Sequence, residues 1–176
     1  MPTSRRDFIK VAGTGALGLI VGGAAGYTIA NSGFTAERSR ETQSQEMLTE
    51  YFASWNAHDV EKIASFVTDD IICYNGARDQ TFHGKDQLKG WAKGSFDAIP
   101  DFKLDMTSLF ASGDMLASEW VFTGTLSGSL SPGVPPTGKS FSVRGNTIAQ
   151  MKDGKIQREA DYWDIATFLR QVGLMT

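Results

Sequence analysis

The first half of the chain carries apolar residues at helical spacing. A helix is predicted from Glu46 to the His58-Asp59 pair, since apolar residues recur there every three or four positions, as on one buried helix face. They are Met47, Leu48, Tyr51, Phe52 and Trp55. Asp59 can cap a second helix, because its carboxylate can accept hydrogen bonds from the free N–H groups of a first turn. A helical opening to the domain is therefore expected.

A strand and a third helix follow. The short apolar run from Ile71 to Tyr74 predicts a strand. Residues 84–96 place Leu88, Trp91 and Phe96 among lysines, which predicts a helix, and Pro100 ends it.

In the second half the period changes from helical to alternating. Strands are predicted from residue 102, at 115–125, at 140–151 and at 156–162, with a proline-rich loop over 127–138. Asp153-Gly154 is a hairpin signal, and Asp164 can cap a last helix that stops at Gly173. Helices followed by an antiparallel meander predict an α+β domain. A curved sheet closed by helices makes a cone with an interior pocket.

The N-terminal residues predict export. Ser4-Arg5-Arg6-Asp7-Phe8-Ile9-Lys10 holds an arginine pair before an uncharged stretch over 11–30, the order of a twin-arginine signal. The alternative is a membrane anchor, because a span needs about 20 apolar residues. The predicted divisions are a signal or anchor at 1–30, a linker or frayed helix start at 31–45, and a domain at 46–176. A periplasmic or extracellular location is expected.

The composition limits the kinds of partner that the protein is expected to bind. Without Arg5, Arg6, Lys10 and Asp7 the chain keeps 14 basic and 19 acidic residues, a net charge of −5. This balance offers no basic patch for a phosphate backbone, so nucleic acid is not an expected partner. Cys73 is the single cysteine, and with two histidines the chain has no metal-ligand spacing. Cys73 is predicted to be a small core residue. We expect neither a metal nor a cofactor.

Several motifs carry a family resemblance. The helical opening, Tyr51-Phe52-x-x-Trp55-x-x-His58-Asp59 followed by Phe66 and Asp69-Asp70, resembles that of the nuclear-transport-factor-2-like superfamily. Four later segments are similar to its SnoaL-like (polyketide cyclase) branch: Pro135-Pro136-Thr137-Gly138-Lys139, Asp153-Gly154-Lys155-Ile156, Tyr162-Trp163-Asp164 and Gln171-Val172-Gly173-Leu174. The resemblance implies a cone-shaped α+β barrel, with a curved mixed or antiparallel sheet around N-terminal helices and a short C-terminal helix. It also implies a homodimer through the exposed sheet face.

Known catalytic residues of the family are not intact. SnoaL-like cyclases often carry Gly-Thr-His in the long middle strand, where this chain has Gly124-Thr125-Leu126. Ketosteroid isomerases share the fold and use an Asp base with a Tyr and a protonated Asp as the oxyanion hole. Aligned on that pattern, Tyr51 is kept, Asn75 takes the base position and Asn146 takes the protonated-Asp position. Asparagine can donate to an oxyanion but cannot take a proton at neutral pH.

Strand alternation suggests replacements for the missing groups. It places Arg144 and Asn146 on one strand face, and Glu159, Asp161 and Trp163 on one face of the next strand. The resemblance points Asn146 and Trp163 inward, so the others are expected to point inward too. The predicted catalytic residues are Asp161 as base, with Tyr51 and Asn146 as hydrogen-bond donors. The predicted substrate-binding residues are Asn75, Trp120, Arg144, Glu159 and Trp163.

Purely structural roles for several of these residues remain as alternatives. Arg144 and Glu159 can be an ordinary cross-strand pair, and Tyr51, Trp120 and Trp163 can be core residues. Three functions fit: a cofactor-free isomerase, cyclase or hydratase acting on a small hydrophobic molecule, a non-catalytic small-molecule-binding protein of the cell envelope, or a domain for self-association.

Overall fold

The computed structural model describes the backbone from residue 24 and the side chains from residue 37. The twin-arginine motif and most of the 11–30 stretch lie outside the described residues. The chain divides into two compact units, Met1–Arg38 and Ser39–Thr176, and the second unit contains the whole sheet. Among the described residues, no helix is both long and apolar enough to cross a membrane.

Four helices are described: α1 (Ala24–Asn56), α2 (Val60–Ser65), α3 (Gly84–Ala98) and α4 (Ile165–Gln171). Helix α1 runs through residues 31–45, the stretch expected to be a linker or the frayed start of a helix. The two predicted caps are confirmed. The Asp59 carboxylate accepts from the Lys62 N–H at 2.9 Å, and Asp164 accepts from the Thr167 N–H at 2.9 Å. Each cap satisfies an N–H group that the first turn leaves free.

Six strands form one sheet: β1 (Val67–Asn75), β2 (Gln80–His83), β3 (Lys103–Ser112), β4 (Met115–Thr125), β5 (Ser140–Lys152) and β6 (Lys155–Trp163). Their order is β2-β1-β6-β5-β4-β3. All neighbours are antiparallel except β1 and β6, which are parallel. The predicted α+β class with a mixed curved sheet and a short C-terminal helix is confirmed. Strand β2 was not predicted, because Gln80–His83 is mostly exposed and shows no apolar alternation.

The hydrophobic core lies on one face of this sheet. Apolar residues at the end of α1 (Leu48, Tyr51, Phe52 and Trp55) share one buried cluster with residues of the long strands, such as Leu116 and Val143. The Trp55 ring stacks on Phe102 with centroids 5.8 Å apart. Aromatic pairs of this kind stabilise packing beyond the area that they bury. The helices therefore cover the inner face of the sheet and leave its other face exposed.

Candidate active site

A cavity of about 640 Å³, its open mouth included, lies between the helices and the inner face of the sheet. All four tryptophans of the chain line it: Trp55, Trp91, Trp120 and Trp163. Asn75, Thr147, Glu159 and Asp161 add polar groups to the same wall. An apolar cavity with a few convergent polar groups is the usual form of a small-molecule site.

An acid pair lies on strand β6. Glu159 and Asp161 are two residues apart, so both side chains point to the same sheet face, and they are only 6% and 8% exposed. One oxygen of each carboxyl and the Cys73 sulfur lie within 4.8 Å of one another. The Cys73 thiol donates to Glu159 Oε1 at 3.9 Å. The predicted inward orientation of both acids is confirmed.

A short chain of hydrogen bonds fixes Asp161. The Thr147 hydroxyl donates to Asp161 Oδ1 at 2.6 Å, and Trp120 Nε1 donates to the Thr147 oxygen at 2.9 Å. Because the tryptophan N–H occupies a lone pair of the hydroxyl, the single hydroxyl proton is directed to the carboxylate. Trp120 and Thr147 thus orient Asp161 and leave its Oδ2 without a hydrogen bond from them.

The pair is divided into an acid and a base. Burial raises the pKa of Asp161 to about 6, against the lowering effect of hydrogen bonds from Thr147 and Glu159. Burial and the Asp161 charge raise the pKa of Glu159 well above its usual range. Two close carboxyls cannot both ionise readily in a place of low polarity. At neutral pH, therefore, Glu159 holds a proton and Asp161 is mostly ionised.

Tyr51 completes this group. It is 1% exposed, and its hydroxyl lies close enough to Glu159 to lower the pKa of that carboxyl. Burial and the Glu159 charge raise the pKa of Tyr51 well above 10, so the hydroxyl keeps its proton. Within the described residues, neither Tyr51 Oη nor Glu159 Oε2 has a hydrogen-bond partner. Buried polar groups are nearly always paired, and a substrate oxygen could accept from both.

Asn75 and Trp163 form the neighbouring wall. The parallel pairing of β1 and β6 places Asn75 beside Asp161, and Trp163 Nε1 donates to Asn75 Oδ1 at 3.2 Å. Asn75 is 3% exposed. The structure therefore brings together six predicted site residues: Tyr51, Asn75, Trp120, Glu159, Asp161 and Trp163.

Two predicted site residues lie elsewhere. Arg144 and Asn146 are exposed on the outer sheet face, so the prediction that they point inward is wrong. The register explains this, because Gly145 pairs with Trp163 and Thr147 with Asp161, which places the odd-numbered residues of β5 inside. It also excludes the proposed Arg144–Glu159 pair, since the two side chains lie on opposite faces.

The sequence missed Thr147 and the neighbourhood of Cys73. The signal for Thr147 was present, because four buried residues of β5 alternate around it: Phe141, Val143, Ala149 and Met151. The alignment with ketosteroid isomerase gave Asn146 the inward position instead, against this local pattern. Cys73 is buried, as predicted, but it also contacts the acid pair. Leu126, where the family histidine was expected, is a fully buried core residue.

One set of donors in the described part of the chain is close enough to hold a metal ion: Cys73, Glu159 and Asp161. A thiol binds metal as the thiolate, whereas burial raises the pKa of Cys73 well above 9.0. These residues therefore suit proton transfer better than coordination, and the expectation of no metal stays a prediction.

Comparison with known proteins supports the fold. A family model described as SnoaL-like polyketide cyclase matches residues 45–172, whereas no curated protein matches the chain in sequence. The chain is similar to the structure of a candidate SnoaL-like polyketide cyclase from Jannaschia sp. CCS1, with a TM-score of 0.70 and 19% identity over 77% of this chain and 95% of that one. It is also similar to AclR, a candidate hydroxylase from Streptomyces galilaeus, with a TM-score of 0.67 and 26% identity over 77% and 99% of the two chains.

A third similar structure is IdmH, a candidate polyketide cyclase from Streptomyces antibioticus, with a TM-score of 0.65 and 21% identity over 74% of this chain and 99% of that one. A candidate hydroxylase and candidate cyclases share this fold, and a fold alone does not set the reaction. The family itself is settled by the model, which covers residues 45–172 of the 176. The chain belongs to the SnoaL-like polyketide cyclase family and has the nuclear-transport-factor-2-like fold.

Proposed function

We propose that the chain is an acid–base enzyme that transfers a proton at the carbon next to a carbonyl group of a small, mostly apolar molecule. The observation that carries this proposal is the buried pair of Glu159 and Asp161, close together at the wall of an aromatic cavity, and burial raises the pKa of both carboxyls. A base with a pKa near the working pH is both ionised and able to return the proton. The scheme needs no cofactor.

In this scheme Asp161 Oδ2 takes the proton from the carbon. The electron pair of the broken C–H bond forms a C=C bond, and the carbonyl π pair moves to the oxygen. That oxygen becomes negative, and hydrogen bonds from the Tyr51 hydroxyl and the protonated Glu159 stabilise it. Tyr51 Oη and Glu159 Oε2 are buried and have no hydrogen-bond partner among the described residues, and the Glu159 proton turns from Asp161 to this oxygen as Asp161 takes up the proton from the carbon.

Two outcomes follow from the same intermediate. Asp161 can return its proton to a different carbon, which is an isomerisation. Alternatively, the enolate carbon can attack a second carbonyl carbon of the same molecule: the first carbonyl re-forms, the π bond of the second one breaks, and its oxygen takes the proton from Asp161, which closes a ring. The charge arrangement resembles that of ketosteroid isomerase, with an Asp base, a Tyr and a protonated carboxyl. Glu159 takes the part that sequence alignment had given to Asn146.

A binding protein is the alternative. One observation favours it: Asp161 Oδ1 already accepts a 2.6 Å hydrogen bond from Thr147, as a purely structural carboxylate would. In that case the acid pair would fix the cavity shape and the ligand would leave unchanged.

Hydrogen–deuterium exchange separates the two functions. We would incubate the full-length chain with the enolisable ketone 2-tetralone in D2O and follow its C1 protons by NMR. We expect catalysed exchange, and a loss of about 10²- to 10⁴-fold in Asp161→Asn, the usual contribution of a positioned base. Asp105→Asn is the matched control, because Asp105 is an exposed residue of β3 paired with Lys103.

Equal exchange in wild type and Asp161→Asn would refute Asp161 as the base. Binding of 2-tetralone without exchange by the wild type would support the binding protein instead. Circular dichroism of each variant verifies that the fold is kept.

We also propose export by the twin-arginine route, supported by Ser4-Arg5-Arg6-Asp7-Phe8-Ile9-Lys10 and the uncharged stretch after it. The test is the cell fraction in which the chain is found when Arg5 and Arg6 are both replaced by Lys. We expect the wild type outside the cytoplasm and the double variant inside. A mass spectrum of the exported form distinguishes a cleaved signal from a retained anchor. Export that is unaffected by the double replacement would contradict the proposal.

A further inference from the structure

Arg78 lies at the boundary between the cavity and an adjoining groove. It lies in the turn after β1, where its N–H donates to the Asn75 carbonyl at 3.2 Å. Its side chain lines the cavity of the acid pair, and it also lines a groove with residues such as Gln80, Pro132 and Leu169. Leu130 is the other residue that lines both spaces. Arg78 and Leu130 therefore form the boundary between the two spaces.

The guanidinium has no partner in the part of the chain that the structure describes. No carboxylate lies within 4.0 Å of it, and its side chain makes no hydrogen bond to these residues. It is half-buried, and this burial lowers the pKa of Arg78. Partial removal of a charge from water without a partner costs free energy. Such an arrangement is typical of a side chain whose partner is a ligand.

The charges along the cavity are separated. The acid pair lies at the buried wall, with Glu159 and Asp161 less than a tenth exposed, and Arg78 lies half-buried at the boundary with the groove. A negative ligand group placed near the ionised Asp161 would be repelled. The same group at Arg78 would be attracted and could accept two parallel N–H donors, a geometry that carboxylates match. The field of the cavity thus fixes one orientation for an anionic ligand.

We propose that Arg78 binds a carboxylate of the substrate, so that the substrate is an apolar carbonyl compound whose far end carries a carboxylate. The aromatic residues hold its body between the two ends. The assignment of a carbonyl at the reacting end of the substrate rests on the proposed function, whereas the assignment of a carboxylate at Arg78 does not. Arg78 is then a specificity residue, since it distinguishes an acid from its ester.

A matched ligand pair tests the assignment. The full-length chain is titrated with 2-naphthylacetate and with its methyl ester by calorimetry, in wild type, Arg78→Gln and Arg78→Lys. We expect the wild type to prefer the carboxylate, and Arg78→Gln to weaken carboxylate binding about ten- to a hundredfold, as is usual for a lost charge-assisted hydrogen bond. Ester binding should be unchanged. Arg78→Lys should give an intermediate loss, because it keeps the charge without the two parallel donors.

Two further variants make the result decisive. Arg158→Gln removes an exposed arginine on β6 and should leave both affinities unchanged. Asp161→Asn should keep the carboxylate preference, so a failure of the catalytic proposal leaves this one standing. Equal effects of Arg78→Gln on acid and ester, no effect on either, or no binding of either ligand by the wild type would overturn the assignment.

Discussion

The two carboxyls of β6 differ because their surroundings differ. Asp161 accepts a hydrogen bond from Thr147, which favours its charged form, whereas the Asp161 charge disfavours the charged form of Glu159. Both are desolvated, so the pair holds one proton near neutral pH, and Glu159, whose pKa is raised well above its usual range, keeps it. This difference turns two similar side chains into a donor and a base.

The raised pKa of Asp161 has a cost in stability. Its carboxyl titrates at about 6 in the folded chain and near 3.8 in the unfolded chain. Between these values the folded state binds a proton that the unfolded state does not, so stability falls as pH rises through that window. A shift of about two pKa units corresponds to roughly 3 kcal/mol.

We therefore expect Asp161→Asn to be more stable than the wild type at pH 8, by up to ~3 kcal/mol, and equal to it near pH 3.5. Asparagine can still accept from Thr147, so the hydrogen bond is kept. Urea unfolding at both pH values measures the difference, with Asp105→Asn as control. A difference that is the same at pH 3.5 and pH 8 would contradict the raised pKa.

Thr147 sets the pKa of the base through its hydrogen bond to Asp161. Thr147→Val removes the donor that lowers the pKa of Asp161, so the pH midpoint of proton exchange should move above 6. Thr147→Ser keeps the hydroxyl and should leave the midpoint in place. The pH dependence of 2-tetralone exchange measures this. If Thr147→Val lowers the rate equally at every pH, Thr147 is only a packing residue.

At the scale of elements, strand β5 shows how a small residue makes room for the site. Gly145 faces inward beside Trp120, and a Cβ at this position would overlap the six-membered part of the Trp120 ring. The ring lies across the strand there, and its Nε1 reaches Thr147. The glycine therefore supports the hydrogen-bond chain that orients Asp161.

Gly145→Ala should destabilise the fold by about 1–3 kcal/mol, the usual cost of overpacking, and should shift the pH midpoint of exchange as Thr147→Val does. Gly90→Ala is the matched control. Gly90 is an exposed residue within α3 and a Cβ there meets nothing within 4 Å. That change should stabilise the chain by about 0.5–1 kcal/mol, because alanine favours a helix. Thermal unfolding compares them, and equal effects of both changes would contradict the packing argument.

Local sequence patterns predicted most of the helices and strands and part of the candidate site. Strand β4 has the predicted limits, Met115–Thr125, because the turn residues on either side of a long alternating run fix both ends of the strand. Glu159 and Asp161 were found because alternation on β6 places them together. The sequence could not predict the parallel pairing of β1 and β6, since that register depends on contacts far apart in the chain. Arg78 was not predicted as a site residue, because residues in turns follow no periodic pattern of apolar and polar positions.

At the scale of the whole molecule, the outer face of the sheet carries an apolar row. The register aligns Phe110, Ala117, Ile148, Ala160 and Tyr74 across five strands. Phe110 is 64% and Ile148 45% exposed, and Met115 and Tyr162 on the same face are also exposed. Large exposed apolar patches in a soluble domain usually mark an interaction surface.

A second copy of this chain is the partner that we expect on this face, as the family resemblance implies. A twofold interface uses the same patch on both subunits, and a row centred on Ile148 meets that requirement. Ile148→Arg places a charge at the centre of the row, where a buried unpaired charge would cost several kcal/mol. It should convert a dimer into a monomer. Thr49→Arg, at an exposed position of α1, should leave the dimer intact.

Sedimentation equilibrium of the full-length chain measures the change, and Asp161-dependent exchange reports whether the site survives it. No residue of the apolar row lines the cavity, so the Ile148→Arg monomer should keep its exchange activity. A wild type that sediments as a monomer would contradict the dimer, and the apolar row would then face another partner. A monomer without activity would mean that the second copy holds the sheet in its working curvature, which links the outer face to the site.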